Sequence, residues 1–231
     1  MGKDKLRKFE ELKSFNNNIE LHFEDLYGKP HPIRGNWAKE IFHNNNPIVL
    51  ELGCGKGEYV LELARQYPNI NFIGIDIKGA RIWRGAKTAT EEKLLNVFFV
   101  RTRIHFIESL FVQGEISEIW VTFPDPQPNK VKARLTSSRF LNLYRSVLTE
   151  NGIVHLKTDS AELYKYTSAL AKSNQLAILK QTDNIDPVFP PDILAVQTHY
   201  EKLFRAKGKS INYISFRLPI HIDLHEPIGQ Q

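Results

Sequence analysis

The chain has 231 residues, 42% hydrophobic and 25% charged, the make-up of a folded protein that can bury a substantial core and not of a disordered or collagen-like chain. Lysine and arginine exceed aspartate and glutamate by 31 − 26 = 5, a surplus that suits a polyanionic partner without requiring one. No stretch approaches the roughly 18 uninterrupted apolar residues of a membrane span, the amino terminus lacks an apolar signal segment, and the single cysteine, Cys54, can form neither an internal disulfide nor a thiolate zinc site, so a cytoplasmic protein is expected.

Residues 1–46 read as an N-terminal extension, basic and partly helical, with Gly28-Lys29-Pro30-His31-Pro32 pushed toward extended backbone by its prolines. Its cations Lys3, Lys5, Arg7 and Lys8 suit an RNA-binding arm or, more simply, a mobile tail. The run Asn44-Asn45-Asn46 marks a boundary, and residues 47–231 read as one domain. There, short β-branched or aromatic runs predict strands at Ile48–Leu52, Phe72–Asp76, Val97–Thr102, Ile119–Phe123, Ile153–Thr158, Ala177–Thr182 and Ile211–Leu218. Helical periodicity falls between them at Glu58–Gln66, Ala80–Leu94 and Ser137–Leu148, the last with Ser137-Ser138 as its cap and Glu150-Asn151-Gly152 as its stop and turn. Seven apolar strands alternating with helices imply an α/β fold, a mostly parallel sheet with helices on both faces. Such sheets bind ligands at the carboxyl ends of their strands.

The first strand ends in Glu51-Leu52-Gly53-Cys54-Gly55-Lys56-Gly57 and runs into a helix. Glycines there let a ligand approach the backbone, and the acidic residue before them favours a cationic or neutral group over a pyrophosphate. The ammonium and sulfonium of S-adenosylmethionine suit such a pocket. Asp76, at the second strand end, reads alone as a helix cap but, beside the glycine turn, as the acceptor of two ribose hydroxyls. Cys54 has no neighbouring base and reads as a small buried residue. The fourth strand leads into Phe123-Pro124-Asp125-Pro126, where prolines on both sides hold Asp125 in an extended turn.

These segments, with Gly74-Ile75-Asp76, Arg134-Leu135-Thr136, His155-Leu156-Lys157-Thr158-Asp159 and Thr198-His199-Tyr200-Glu201, run in the order found in the tRNA (guanine-N7-)-methyltransferases, which the chain resembles from about Pro47 to Leu218. The resemblance implies a Rossmann-like class I methyltransferase fold, S-adenosylmethionine as methyl donor and a variable-loop guanine of tRNA as acceptor. It implies cofactor contacts from Glu51, Gly53, Gly55, Gly57, Asp76, Arg103 and Asp125, catalytic roles for Asp125 and Asp159, and target-nucleotide contacts from Asp159, Thr198, Tyr200 and Glu201. Phosphate contacts fall to Asn129, Lys130, Lys132 and Arg134. Two positions depart from the family pattern: Arg103 stands where an acidic or amide residue is usual near the adenine, and Gln127 and Asn129 replace the usual tryptophan and lysine, with Lys130 as the substitute cation.

Guanine N7 carries its lone pair in the ring plane and needs no general base, so the demand on the site is alignment and a carboxylate for the positive charge that develops. Arg81, Arg84, Lys87 and Arg139 would add to a phosphate-binding rim if they face the site, and otherwise form solvated helix faces. His221, Asp223 and His225 alternate in a polar tail too sparse for a metal site, and no metal is expected. Two rival readings are a methyltransferase of this fold on another RNA or small molecule, and a non-catalytic RNA-binding module. A monomer and a homodimer fit equally well.

Overall fold

Uninterrupted apolar runs bounded by polar turns become the strands of the computed structural model, which describes residues 2–185 and 193–227. The chain divides into two compact units, Met1–Val112 and Gln113–Gln231.

The first unit contains α1 (Gly2–Lys13), β1 (Asn18–Glu20), α2 (Phe23–Leu26), a π-helical turn over Trp37–Phe42, β2 (Ile48–Leu52), α3 (Glu58–Gln66), β3 (Asn71–Asp76), α4 (Gly79–Glu91), β4 (Val97–Arg101) and α5 (Ile107–Leu110). Its strands lie in the order β1-β4-β3-β2, every pair parallel. All five residues of β2 and all six of β3 are buried, so both faces of these strands are covered, as the absence of alternation in their sequences predicts. Side chains such as Leu50, Ile73 and Phe99 are fully buried, each worth about 1.5–3 kcal/mol over exposure. Helix α3 turns Val60, Leu61, Leu63 and Ala64 inward, as its period predicts. Helix α4 stops at Glu91 instead of Leu94, because Lys93 adopts a left-handed backbone, φ 56°.

The N-terminal residues are part of this unit. Strand β1 adds to the sheet edge beside β4. Helix α1 buries Leu12, and its Glu11 accepts from Trp83 Nε1 (3.0 Å) and Lys87 Nζ (3.1 Å) of α4. Arg7 and Lys8 lie over the Trp83 ring and pair with Asp4, so both cations are engaged within the unit. The side chains of Lys3 and Lys5 lie outside the described residues.

The second unit holds β5 (Ile116–Thr122), α6 (Ser138–Arg145), β6 (Leu148–Thr158), α7 (Ala161–Ser173), β7 (Ile178–Thr182), α8 (His199–Ala206) and β8 (Asn212–Arg217). Its strand order is β5-β6-β8-β7, with β5 and β6 parallel and the β6/β8 and β8/β7 pairs antiparallel. Ser137 caps α6 by accepting from Phe140 N–H, as expected, and Ser160 does the same for α7 from Leu163 N–H. Glu150-Asn151-Gly152 is not a turn ahead of the strand. It sits inside β6, which begins at Leu148 opposite Ile116 and resumes at Ile153 opposite Glu118, so the extra residues form a bulge. The seven expected strands are all present and β1 makes eight among the described residues.

Candidate active site

In the first unit the ends of β2 and β3 meet at the glycine turn. Gly53 and Cys54 N–H both donate to Ile75 O (2.8 and 3.1 Å), which draws the turn across the end of β3. Asp76 then ties two loops with one carboxylate: Oδ2 accepts from Gly55 N–H (2.9 Å) and Oδ1 from Lys78 N–H (2.8 Å). Each oxygen keeps a second lone pair, so the group can still receive a pair of ligand hydroxyls. The Oδ1 contact closes a turn ahead of α4, but Asp76 is not the helix cap the sequence also allowed: α4 begins at Gly79 and Lys78 stands at its cap position.

Two of the glycines differ in what they permit. A Cβ on Gly55 would meet nothing within 4 Å, so the backbone there faces open space, as a ligand cradle requires. A Cβ on Gly57 would fall 2.4 Å from the Phe99 ring, and the backbone is left-handed at φ 71°; this glycine is needed for packing at the start of α3. Glu51 is 2% exposed at the end of β2. Burial pushes the Cys54 thiol well above its ordinary range, and Glu51 and Asp76 add to the effect, so the sulfur is a protonated, packed group and not a nucleophile. Arg103 follows β4 with an exposed side chain and lines a cavity of about 290 Å³ with Leu21, His22, Phe23, Ile77 and Phe106.

In the second unit β5 delivers Phe123-Pro124-Asp125-Pro126-Gln127. Phe123 has φ 48° and Gln127 φ 45°, uncommon for side chains of that size, and Phe123 N–H is held by Lys157 O at 2.8 Å. Asp125 is exposed and its Oδ1 accepts from Gln127 N–H (3.1 Å), an Asx-type turn that fixes the carboxylate's direction. Asn129, Lys130 and Lys132 are exposed, as phosphate contacts must be. Arg134 is not: it is 3% exposed, its Nε donates to Pro126 O (3.1 Å) and Gln127 O (3.4 Å), and it pairs with Glu162.

Asp159 follows β6 and is paired with Lys209, whose Nζ lies 4.8 Å from the centre of the Phe204 ring. Phe204 in turn approaches Phe123 (5.7 Å) and Tyr200 (6.4 Å). Asp159 and Lys209 line a groove of about 720 Å³ together with Tyr164, Lys165 and Asn212. The three residues of the Thr198-His199-Tyr200-Glu201 motif expected at the nucleotide divide by orientation. Tyr200 is 42% exposed and offers a ring for stacking. Thr198 caps α8, its Oγ1 accepting from Glu201 N–H (3.2 Å). Glu201 is fully buried between Lys157 Nζ (2.7 Å) and Arg205 Nη2 (2.8 Å).

Lys157 also donates to Leu194 O (3.0 Å) and Val196 O (2.8 Å), so it pins the segment before α8 onto β6. Burial lowers its pKa, opposed by Glu201. Next along β6, His155 stacks on Trp120 at 3.9 Å with Nε2 3.1 Å from Glu118 Oε2 and Nδ1 2.8 Å from Tyr213 O–H. A carboxylate only accepts, so the neutral ring carries its proton on Nε2 and Nδ1 accepts from the tyrosine. Burial lowers the His155 pKa, with Glu118 opposing. Charge counting along the sequence missed Lys157, Arg205, Phe204 and Lys209, although Glu201 and Arg205 stand at the i,i+4 spacing of a helix pair.

With this geometry, the family model described as "Putative methyltransferase" matches residues 45–214. The tRNA (guanine-N(7)-)-methyltransferase of Bacteroides fragilis is 45% identical over 98% of this chain and 90% of that protein; that of Christiangramia forsetii is 49% identical over 94% and 99%. This chain belongs to the tRNA (guanine-N(7)-)-methyltransferase family. Its fold is also that of the crystal structure of the 16S rRNA methyltransferase KamB, with TM-score 0.62 over 78% of this chain and 92% of that one, at 13% identity. The Rossmann-like methyltransferase architecture expected from the sequence is thus the one observed, and the protein is a methyltransferase. No group of three or more metal-ligating side chains occurs, and no helix is long and apolar enough to cross a membrane, among the described residues.

Proposed function

We propose that this methyltransferase moves the methyl group of S-adenosylmethionine to N7 of a guanine in tRNA, in the cytoplasm. The observation that carries the reading is the identity to enzymes named for that activity, 45–49% over more than nine-tenths of the chain. The glycine turn supports the cofactor: Gly55 leaves open space, and Asp76 and Glu51 supply carboxylates for a ligand bearing hydroxyl and ammonium donors. When bound, the cofactor supplies an electrophilic methyl on a sulfonium.

Glu51, Gly53, Gly55, Gly57 and Asp76 would hold it, and Arg103 is assigned as a further cofactor contact. The remaining task of the chain is positional. Guanine N7 attacks with a lone pair it already has, so no side chain removes a proton before transfer, and in-line alignment with exclusion of water provides most of the acceleration. Positive charge grows on the guanine, and we assign Asp125, aimed by Gln127 N–H, to stabilise it. Asp159 is assigned to orient the base and Tyr200 to stack on it. Lys130 and Lys132, exposed on the loop after β5, meet backbone phosphates and carry no sequence preference.

The deciding experiment incubates pure protein with S-adenosylmethionine and unmodified tRNA and identifies the product nucleoside by mass spectrometry. The expected product is 7-methylguanosine, absent when Asp125 is replaced by alanine. A methyl on another atom, or on no nucleoside, refutes the assignment.

A further inference from the structure

Arg134 stands in the basic run after β5, yet its side chain is 3% exposed and its guanidinium has internal partners at Nε, at Nη2 and over one face. Nε reaches the carbonyls of Pro126 and Gln127, Nη2 reaches Glu162, and the plane lies 4.6 Å above the Tyr166 ring. Tyr166 O–H donates to Glu226 Oε2 (2.6 Å), and Glu226 Oε1 accepts from Ser138 N–H (3.0 Å) and Oγ–H (2.8 Å) at the start of α6. Burial and the Glu226 hydrogen bond both raise the Tyr166 pKa, so the phenol stays a donor.

The carbonyls Arg134 holds belong to the two residues that follow Asp125, and Gln127 N–H is the donor that aims the Asp125 carboxylate. Gln127 has a left-handed backbone, φ 45°, which an exposed loop would not keep unaided. The geometry points to Arg134 as a positioning residue for Asp125: a clamp that fixes the Pro126-Gln127 backbone, braced by Tyr166 and by Glu226 of the C-terminal segment. It makes no contact with RNA. The clamp deepens the proposed function, because it rests on Asp125 serving the acceptor guanine. Arginine suits the position because its planar fork serves carbonyls and a carboxylate at once while stacking on an aromatic ring, which a lysine cannot do.

The test compares Arg134→Ala, Arg134→Lys and Tyr166→Phe with wild type in four readouts: kcat for tRNA methylation, cofactor affinity by calorimetry, the salt dependence of tRNA binding, and hydrogen exchange at the Gln127 amide. Arg134→Ala is expected to lower kcat about 100-fold, the scale of a misplacement near 1 Å, and to speed Gln127 exchange. Cofactor affinity and salt slope should stay at wild-type values, and millimolar ethylguanidinium should restore part of kcat by refilling the cavity. Arg134→Lys should retain intermediate turnover. Tyr166→Phe keeps the ring under the guanidinium and guards against a misfolded alanine variant; it should lower kcat about three- to tenfold.

A salt slope reduced by about 0.7–0.9 with kcat intact would make Arg134 a phosphate contact and overturn the clamp. So would a loss of turnover with unchanged Gln127 exchange and no rescue. A Tyr166→Phe protein identical to wild type in kcat and exchange would overturn the bracing from the C-terminal segment. Should Asp125→Asn retain full turnover, the role given to Asp125 fails, while Gln127 exchange in Arg134→Ala still decides whether the clamp exists.

Discussion

Replacing Glu201 by alanine separates a structural from a nucleotide-binding role for the Thr198-His199-Tyr200-Glu201 motif. In the folded protein Glu201 and Lys157 are both fully buried with Nζ and Oε2 2.7 Å apart, and Arg205 takes the other carboxylate oxygen. Removing one partner of such a pair leaves an uncompensated buried charge and costs about 3–5 kcal/mol. For a chain of this length that corresponds to a fall in Tm of roughly 6–20 °C in the transition that melts the second unit. The pH dependence has a definite sign. Burial already lowers the Lys157 pKa from 10.5, and removing Glu201, which opposes the shift, lowers it further. Between the lowered value and 10.5 the unfolded chain binds more protons than the folded one, so stability rises with pH through that window by up to about 1.4 kcal/mol per unit. The deficit of Glu201→Ala relative to wild type should therefore shrink as pH rises from neutrality toward 10.5. Thermal melts at several pH values, with tRNA affinity measured well below the transition, make the comparison. A variant with wild-type Tm and lost tRNA binding would refute the buried-pair account and return Glu201 to the nucleotide.

Asp76→Asn leaves the shape but gives one of the Gly55 and Lys78 amides a donor to face; calorimetry should show cofactor affinity down at least tenfold, the scale of one lost charged hydrogen bond of about 1.5–3 kcal/mol, and unchanged affinity would sink the pocket. Gly57→Ala places a methyl against the Phe99 ring at φ 71°, and should destabilise the first unit by about 1–3 kcal/mol in denaturant melts. Lys130→Ala with Lys132→Ala should flatten the salt dependence of tRNA binding by up to about 0.7–0.9 per lysine and leave cofactor affinity alone; an unaltered slope would show that these lysines meet no phosphate. His155 has a pKa below 6.5, so as pH falls from 6.5 toward that lowered value the unfolded chain takes up the proton first and stability drops; His155→Gln should abolish that portion of the acid loss, and a melting curve of unchanged pH dependence would contradict it.

The sheet was legible where strands are buried on both faces, because β2 and β3 need no alternation and their apolar runs cannot be confused with polar turns. Strand β1 carried no such pattern: three half-buried residues at a sheet edge become a strand only because β4 offers unpaired backbone beside them. The bulge in β6 shows the same limit from the other side. Glu150-Asn151-Gly152 has the local chemistry of a turn, but Leu148 already pairs with Ile116, and the sheet absorbs the extra residues. Pairing is a property of two segments, and local propensity reports on one.

At the site, residue type was legible and orientation was not. The spacing Thr198-x-x-Glu201 is that of a helix cap followed by an acidic residue three positions on, a local reason for α8 to start there, independent of any nucleotide. The basic run shows the difference more sharply. Lys130, Lys132 and Arg134 alternate in sequence, yet the 3-10 turn Val131–Ala133 leaves both lysines in solvent and brings Arg134 over the Tyr166 ring. Counting cations makes the three equivalent. What separates them is the set of acceptors each can reach: two carbonyls of the Asp125 loop, Glu162 and an aromatic face satisfy a guanidinium and would leave an ammonium short of partners. An arginine among lysines in a phosphate-facing run is therefore the residue to examine for burial first, since its fork is the one that an interior built of carbonyls and carboxylates can hold.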